Sequence, residues 1–254
     1  MVKTIKIAGV LIEPRKLINI FYSVRNFYSV FPLNTALYFF HGNHLSNKFI
    51  LAVHNMIPNS NVKCISLDVS NLKSNEYSDF MKNPKTWEYF TCDYILTIQT
   101  DGCLCINSPY KIQNFLKYDY VGGYGKYNNW WRETKKLLPK NIHQCFNGGF
   151  SLRNVAACKS VLQQFPPLPS KKYNSKLHFR EYAEDLYFVL GMLYLNYKVG
   201  VDKFAINFCS HTTYRIGTFC VHNTIKYEKN PIKLKIFLKY CPHYKYFLKL
   251  VHAD

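Results

Sequence analysis

Short apolar runs alternate with helix-like segments along the first half of the chain, and this alternation limits the possible folds more than any other feature. Strand candidates lie at residues 5–12, 36–40, 62–69 and 94–99. The segments between them, at 17–28, 47–56, 71–81 and 86–90, have helical character. A repeat of strands and helices builds a parallel sheet covered by helices. We therefore predict an α/β fold with a mixed, mainly parallel central sheet flanked by helices.

The second half has a mixed pattern, which predicts an antiparallel extension of the sheet. Strand candidates lie at 118–122, 150–152 and 198–207, and helix candidates at 111–116, 156–164 and 182–197. Glycines and aromatic residues predict a loop at 122–131, including Trp130 and Trp131. The prolines at 165–173 predict a surface loop. A basic amphipathic helix is expected from about 232 to 251, with one side packed against the body of the protein.

The charge and the cysteines restrict the partners and the compartment. A net charge of +18 favours anionic partners such as nucleotide phosphates, nucleic acid or an acidic membrane. The nine cysteines include no C-x-x-C pair, and most lie in apolar runs, so we expect buried thiols. No stretch reaches the roughly 20 apolar residues that cross a bilayer, and the N-terminus lacks a signal-peptide pattern. These features predict a soluble cytoplasmic protein.

Polar residues stand where a parallel sheet places its ligands. Asp101 follows the apolar run at 94–98, and open α/β sheets bind ligands beyond the carboxyl ends of their strands. Downstream lie the string Asn147-Gly-Gly-Phe-Ser-Leu-Arg153, the acid pair Glu184-Asp185, and His222 in an apolar segment. An acid, a glycine pair, an acid pair and a histidine suggest metal-assisted transfer from a diphosphate-linked donor.

Each of these residues also has a structural interpretation. An Asp followed by Gly is common in turns, and carboxylates are favoured at the start of a helix by its dipole. The glycine pair could form a tight turn with positive φ or allow close approach of the backbone. A histidine in an apolar segment is often a core residue whose hydrogen bonds are satisfied. Arg15 and Arg153 could pair with donor phosphates, but they could instead form ordinary surface ion pairs.

The motifs resemble, in order and approximate spacing, a glycosyltransferase-like family of GT-A type that has been catalogued as a domain of unknown function. The residues that carry the resemblance are Glu13-Pro14-Arg15, His41-Gly42-Asn43, Gln99-Thr-Asp-Gly102, Tyr118-Asp-Tyr-Val-Gly122, Asn147-Gly-Gly-Phe-Ser-Leu-Arg153 and Glu184-Asp185. The resemblance implies a single GT-A domain over 1–225. Its nucleotide-binding half would cover about 1–105 and its acceptor half about 106–225, before a basic helical extension at 226–254.

The resemblance also implies a site and a reaction. A nucleoside-diphosphate sugar, such as a UDP-sugar, would be the donor, and a glycan or protein hydroxyl the acceptor. Mn²⁺ or Mg²⁺ would be held by Asp101 and His222, although Gln99 replaces the first Asp of the usual D-x-D motif. Asp185 would be the base of an inverting reaction, with Glu184 in a supporting role. The residues expected to bind the donor are Glu13, Arg15, Gln99, Asp101, Asn147, Gly148, Gly149 and Arg153.

Two other classes of protein remain open. Basic residues interleaved with aromatics at 235–240 and 243–249 would suit nucleic acid, but no RNA- or DNA-binding signature is visible, so no specific nucleic acid is expected. Gln99 stands in place of the first Asp of the D-x-D motif, and this favours the other class, a GT-A fold that binds carbohydrate without turnover. His211 lies in a segment that departs from the family pattern and is left out of the predicted site.

Overall fold

The computed structural model describes residues 4–125, 143–172, 177–223 and 230–251. Within these ranges no helix is long and apolar enough to cross a membrane. The predicted Trp130 and Trp131 lie outside the described residues, as does most of the aromatic loop to which they were assigned.

The described strands form one nine-stranded sheet with the order β3-β2-β1-β4-β7-β6-β8-β9-β5. The strands are β1 (Ile7–Ile12), β2 (Leu37–Gly42), β3 (Val62–Leu67), β4 (Tyr94–Ile98), β5 (Gly102–Leu104), β6 (Tyr120–Tyr124), β7 (Cys145–Asn154), β8 (Cys209–Ser210) and β9 (Cys220–His222). The first four strands pair in parallel. Strand β7 runs antiparallel to both β4 and β6, and so joins the parallel half to the mixed half.

Seven α-helices are described, and those between strands cover both faces of the sheet. They are α1 (Asn19–Tyr28), α2 (Asn47–His54), α3 (Ser74–Lys82), α4 (Val155–Gln164), α5 (Glu184–Tyr194), α6 (Pro231–Tyr240) and α7 (Tyr244–Val251). Successive residues of a strand face opposite sides. Accordingly, Leu11 of β1 joins the core beneath α1, whereas Val10 joins the core beneath α3, α4 and α5. The prediction of a mixed, mainly parallel sheet flanked by helices is confirmed.

Four predicted elements of the second half differ from the structure. The glycine-rich segment after Val121 was predicted as a loop, but it continues strand β6 as far as Tyr124. A Cβ added at Gly122 would lie 2.4 Å from the Asn147 carbonyl, so the glycine allows two strands to approach closely. The strand predicted at 150–152 extends over all of β7.

The strand predicted at 198–207 was wrong, because local turn chemistry determines the backbone there. Asp202 Oδ1 accepts hydrogen bonds from the amides of Phe204 and Ala205, and a short 3₁₀ helix follows at Ala205–Asn207. Val199 forms only an isolated bridge to Tyr120.

The predicted single C-terminal helix is two helices, α6 and α7. Pro242 lies between them, and proline cannot continue an α-helix without losing a hydrogen bond. The expected packing against the body is present, since Phe237, Tyr244 and Phe247 are buried with Cys103 and Val221. A disulfide joins Cys241 to Cys105, which corrects the prediction that every cysteine is a thiol.

Candidate active site

A cleft of about 290 Å³ opens where β1 and β4 end. Its lining residues come from the segments after these two strands and from the start of α3: Ile12, Glu13, Pro14, Arg15, Asn71, Leu72, Ser74, Tyr77, Gln99, Thr100 and Asp101. The carboxyl edge of parallel strands is the usual ligand-binding edge of an open α/β sheet. Four residues predicted from the sequence, Glu13, Arg15, Gln99 and Asp101, therefore line one cavity.

Glu13 and Arg15 form an ion pair with two hydrogen bonds at this cleft. Arg15 Nε and Nη2 donate to the two Glu13 carboxylate oxygens at 2.8 and 2.9 Å, and Thr100 Oγ1 donates to Glu13 Oε2 at 3.1 Å. Hydrogen bonding to Glu13 raises the pKa of Arg15 against the effect of partial burial. Glu13 is buried and its oxygens are engaged, whereas the Arg15 side chain is 54% exposed. In this arrangement Glu13 orients Arg15, and Arg15 is the group that faces solvent.

Asp101, His222 and Asn147 lie in a chain of polar contacts. His222 Nε2 is 3.1 Å from Asp101 Oδ1, and His222 Nδ1 is 2.7 Å from Asn147 Oδ1. Burial acts to raise the pKa of Asp101, but the charge and hydrogen bond of His222 outweigh it and hold the pKa below its usual value. Asn147 Oδ1 also accepts from the Gly149 amide at 3.2 Å, which fixes that oxygen as an acceptor. The proton of a neutral His222 therefore belongs on Nδ1.

This tautomer makes the Asp101–His222 pair suitable for a cation. The charge and hydrogen bond that lower the pKa of Asp101 belong to His222 with protons on both ring nitrogens. Without the Nε2 proton, Nε2 directs a lone pair toward the Asp101 carboxylate, and a divalent cation between them would take the place of that proton. One imidazole and one carboxylate are ordinary ligands for Mn²⁺. Within the described ranges no cluster of three or more His, Cys, Asp or Glu side chains could hold a metal. The residues present thus fit a divalent ion that is completed by ligand oxygens and water.

His211 contacts the Asp101–His222 pair, although it was not predicted as a site residue. Its ring stacks on His222 with centroids 4.8 Å apart and planes 14° from parallel. Its Nδ1 lies 3.0 Å from the His222 carbonyl oxygen. The two histidines are neighbours because β8 pairs with β9. These strands are two and three residues long, too short to produce a periodic signal in the sequence.

Gly148 and Gly149 allow two parts of the site to approach the backbone of β7. A Cβ added at Gly149 would lie 2.2 Å from His222 Cε1 and 2.7 Å from Gln99 Oε1. A Cβ added at Gly148 would lie 2.2 Å from Glu184 Oε1. Among the described glycines only Gly217 has a positive φ, so these two are needed for close approach and do not form a left-handed turn.

Glu184 begins α5 and is held from two sides. Arg153 Nη2 lies 2.9 Å from Glu184 Oε1, and Ser78 Oγ donates to Glu184 Oε2 at 3.3 Å. Arg153 also donates through Nε to Ser151 Oγ at 2.8 Å and is completely buried. Arg153 was predicted to bind donor phosphates, whereas here its guanidinium is buried against Ser151 and Glu184. Its guanidinium neutralises Glu184 in the interior.

Asp185, the next residue of α5, has a different environment. Its Oδ2 accepts from the Gly148 amide at 3.2 Å, and its Oδ1 accepts from the Leu186 amide at 2.7 Å. Burial and the nearby negative charge of Glu184 raise the pKa of Asp185 to about 7. A carboxyl group with a pKa near neutrality is suited to proton transfer at physiological pH.

Tyr77 links the cleft to the acid pair, and sequence reasoning did not identify it. It lines the cleft, and burial and the charge of Glu184 raise its pKa, against the effects of Arg153 and of a hydrogen bond to Gln99. Ser74, Tyr77 and Ser78 share a face of α3 at i, i+3 and i+4 spacing, which was an available signal. Asp101, the glycine pair and the acid pair thus lie in one connected network.

Comparison with solved structures identifies the fold of this mixed, mainly parallel sheet and its helices. Over all of this chain and 76% of the other, the structure is similar to that of the mannosyltransferase PcManGT from Pyrobaculum calidifontis in complex with GDP-Man and Mn²⁺, with 10% identity and a TM-score of 0.52. Mouse xyloside xylosyltransferase 1, in its apo form, matches 89% of this chain and 100% of its own, with 11% identity and a TM-score of 0.49. The likeness to PcManGT shows a GT-A fold, as predicted.

Sequence comparison identifies the family. No curated protein sequence matches the chain significantly. A family model with the description "Protein of unknown function (DUF5672)" matches residues 61–224, a span that contains Asp101, the whole of β7, the acid pair and His222. Because this match covers well over half of the sequence, the chain belongs to that family.

Proposed function

We propose that the protein is a glycosyltransferase that moves a sugar from a nucleoside-diphosphate donor to a hydroxyl group of a glycan or protein. The observation that carries the proposal is the connection, through β7 and Tyr77, between the Asp101–His222 pair and Asp185. This connection unites a cation-binding group, a cleft and a carboxyl group with a pKa of about 7. Sugar transfer requires these three parts: leaving-group neutralisation, donor binding and proton removal.

On the donor side, Asp101 and His222 would hold Mn²⁺ or Mg²⁺, which neutralises the charge of a departing diphosphate. Asn147 orients the histidine for this purpose through Nδ1. Arg15 lines the cleft, and Glu13 holds its guanidinium in place. This guanidinium would pair with a phosphate of the donor. Gln99 and the backbone at Gly149 lie beside this group and would contact the donor sugar.

On the acceptor side, Asp185 would take the proton of the attacking hydroxyl. Ionised Asp185 keeps further lone pairs beyond the two that accept backbone amides. Glu184 would not touch substrate, because Arg153 and Ser78 engage it, and would act by setting the pKa of its neighbour. A base on the side opposite the leaving group gives inversion of the anomeric carbon.

The decisive experiment measures nucleoside-diphosphate release from a panel of UDP- and GDP-sugars, with and without Mn²⁺. We expect release from at least one donor, with dependence on Mn²⁺ and loss in Asp101→Asn. The exposed carboxylate variant Glu88→Gln, remote from the cleft lining, serves as the control. If a folded protein releases no nucleotide from any donor, the transferase proposal fails and carbohydrate binding without turnover is favoured. Affinity for nucleic acid that falls steeply with salt would favour the third class instead.

A further inference from the structure

A second cavity of about 440 Å³ adjoins the cleft. Its lining residues come from the first turns of α3, from the segment before residue 173 and from the residue before α5: Ser74, Asn75, Ser78, Ser170, Lys171, Lys172 and Ala183. Ser74 lines both the cleft and this cavity. We name this second cavity the lysine cavity. A molecule seated in it is next to one seated in the cleft.

The lysine cavity also reaches the start of α5, the helix that carries the acid pair. Ala183, at its wall, directly precedes Glu184, and Ser78 Oγ in the same wall donates to Glu184 Oε2. Asp185 follows on the same helical turn. A ligand in the lysine cavity therefore lies against the residue that precedes the acid pair and against the Ser78 hydroxyl that binds Glu184, without occupying the donor cleft.

The lining has positive charge and hydroxyl groups but no carboxylate. Lys171 pairs with Glu181, and its side chain is 61% exposed. No described residue forms an ion pair or hydrogen bond with Lys172. Carboxylates outside the lining engage two of its residues as well: Glu181 pairs with Lys171, and Asp79 accepts the Ser170 amide at 2.7 Å. Three serine hydroxyls and two ammonium groups suit a ligand that combines hydroxyls with an anionic group.

The wall that carries the lysines is fixed before any ligand binds. Lys82 Nζ is buried and donates to the carbonyls of Leu168, Arg180 and Tyr182 at 2.8, 3.2 and 3.0 Å. Ser170 Oγ donates to the Tyr182 carbonyl at 3.4 Å. A preformed cavity loses less ordering entropy on binding than one that has to assemble.

We propose that the lysine cavity is the acceptor subsite and that the acceptor carries a phosphate or carboxylate group, which Lys171 and Lys172 bind. This inference rests on the proposed function, since it assigns the acceptor class of the same site. It predicts that a negatively charged hydroxylated molecule binds better than its neutral counterpart.

Titration calorimetry with glucose 6-phosphate, glucuronate and glucose tests the proposal without any donor or turnover. We expect at least one of the two charged sugars to bind and glucose to bind at least about tenfold more weakly. In Lys171→Gln/Lys172→Gln the affinity for the charged sugar should fall about tenfold. The matched control is Lys48→Gln/Lys203→Gln, which removes the same charge from exposed positions in neither cavity.

Three results would overturn the acceptor subsite: no binding of either charged sugar, equal binding of glucose, or an equal loss in the control variant. UDP and GDP are titrated in parallel, because Lys171 and Lys172 do not line the cleft and should not affect nucleotide binding. Nucleotide release from a donor combined with failure of the sugar titrations rejects only the subsite. Charged-sugar binding that depends on the lysines, without release from any donor, rejects the transferase and with it the acceptor role, and leaves the lysine cavity as a binding site for anionic sugars.

Discussion

Two aspartates of the candidate site have pKa values that are shifted in opposite directions. Asp101 has a lowered pKa because His222 lies beside its carboxylate, despite the opposing effect of burial. Asp185 has a pKa of about 7 because desolvation and the adjacent charge of Glu184 disfavour its ionised form. Pairs of titratable groups whose pKa values are driven apart commonly divide the tasks of a reaction. At neutral pH Asp101 is charged, whereas Asp185 gains or loses its proton easily.

The pH dependence of activity follows from Asp185. Its raised pKa means that it is protonated, and cannot act as a base, below about pH 7. We expect kcat/KM to rise with pH and to level off above about 7. Asp185→Asn should lower the rate about 10²- to 10⁴-fold and remove this dependence. A wild-type rate that is constant between about pH 5.5 and 8.5 would contradict the assignment.

The sequence allowed the identity of most site residues to be predicted, but not their partners. Asp101 and the glycine pair stand out because a strand end and a double glycine are local features. The pairing of Arg153 with Glu184 was not predicted, because the two residues are 31 positions apart and no spacing rule links them. Tyr77 and His211 contact the site only through tertiary packing, so their own sequence neighbourhoods give weak signals.

At the scale of elements, the helix α3 and the segment before residue 173 form one unit. Lys82, the last residue of α3, is 1% exposed and donates to three backbone carbonyls across this junction. Burial lowers the pKa of Lys82, although Asp79 counteracts it. The sequence predicted the helix and the loop, but not the buried lysine that joins them, because lysines are usually exposed.

Replacing this lysine should weaken the junction. Lys82→Met removes a charged donor from three carbonyls. The Arg180 carbonyl keeps the Leu168 amide and the Tyr182 carbonyl keeps Ser170 Oγ, so we expect the free energy of unfolding to fall by about 1–3 kcal/mol. Denaturant unfolding measures this value, and proteolysis should cut residues 165–172 faster. Lys85→Met, on an exposed neighbouring lysine, is the matched control. Equal stability of the two variants would show that Lys82 does not hold the segment.

At the scale of the molecule, the parallel half was predictable and the closure of the sheet was not. Alternating apolar runs predicted the four parallel strands β1 to β4, but not their order β3-β2-β1-β4 in the sheet. Strands β5, β8 and β9 have at most three residues each and depend on pairing partners far away in sequence. The link from Cys105 to Cys241 spans 136 residues and joins the end of β5 to the helices α6 and α7.

This disulfide should contribute to the stability of the whole chain. A crosslink that closes a long loop restricts the unfolded state and typically stabilises a protein by about 2–4 kcal/mol. We therefore expect reductant to lower the free energy of unfolding of the wild type by about this amount, and to have no effect on Cys241→Ser. Cys92→Ser, which removes a partly exposed thiol outside the bridge, should respond to reductant like the wild type. Equal wild-type stability in both conditions would exclude a stabilising bridge.

The central place of β7 has a consequence for synthesis. Strand β4 pairs with β1 on one side and with β7 on the other, and β7 begins only at Cys145. Because a nascent chain leaves the ribosome from its N-terminus, the four parallel strands are available well before their antiparallel neighbour. Until Cys145–Asn154 emerges, β4 presents an unpaired edge, the type of surface on which other strands can dock and aggregation begins.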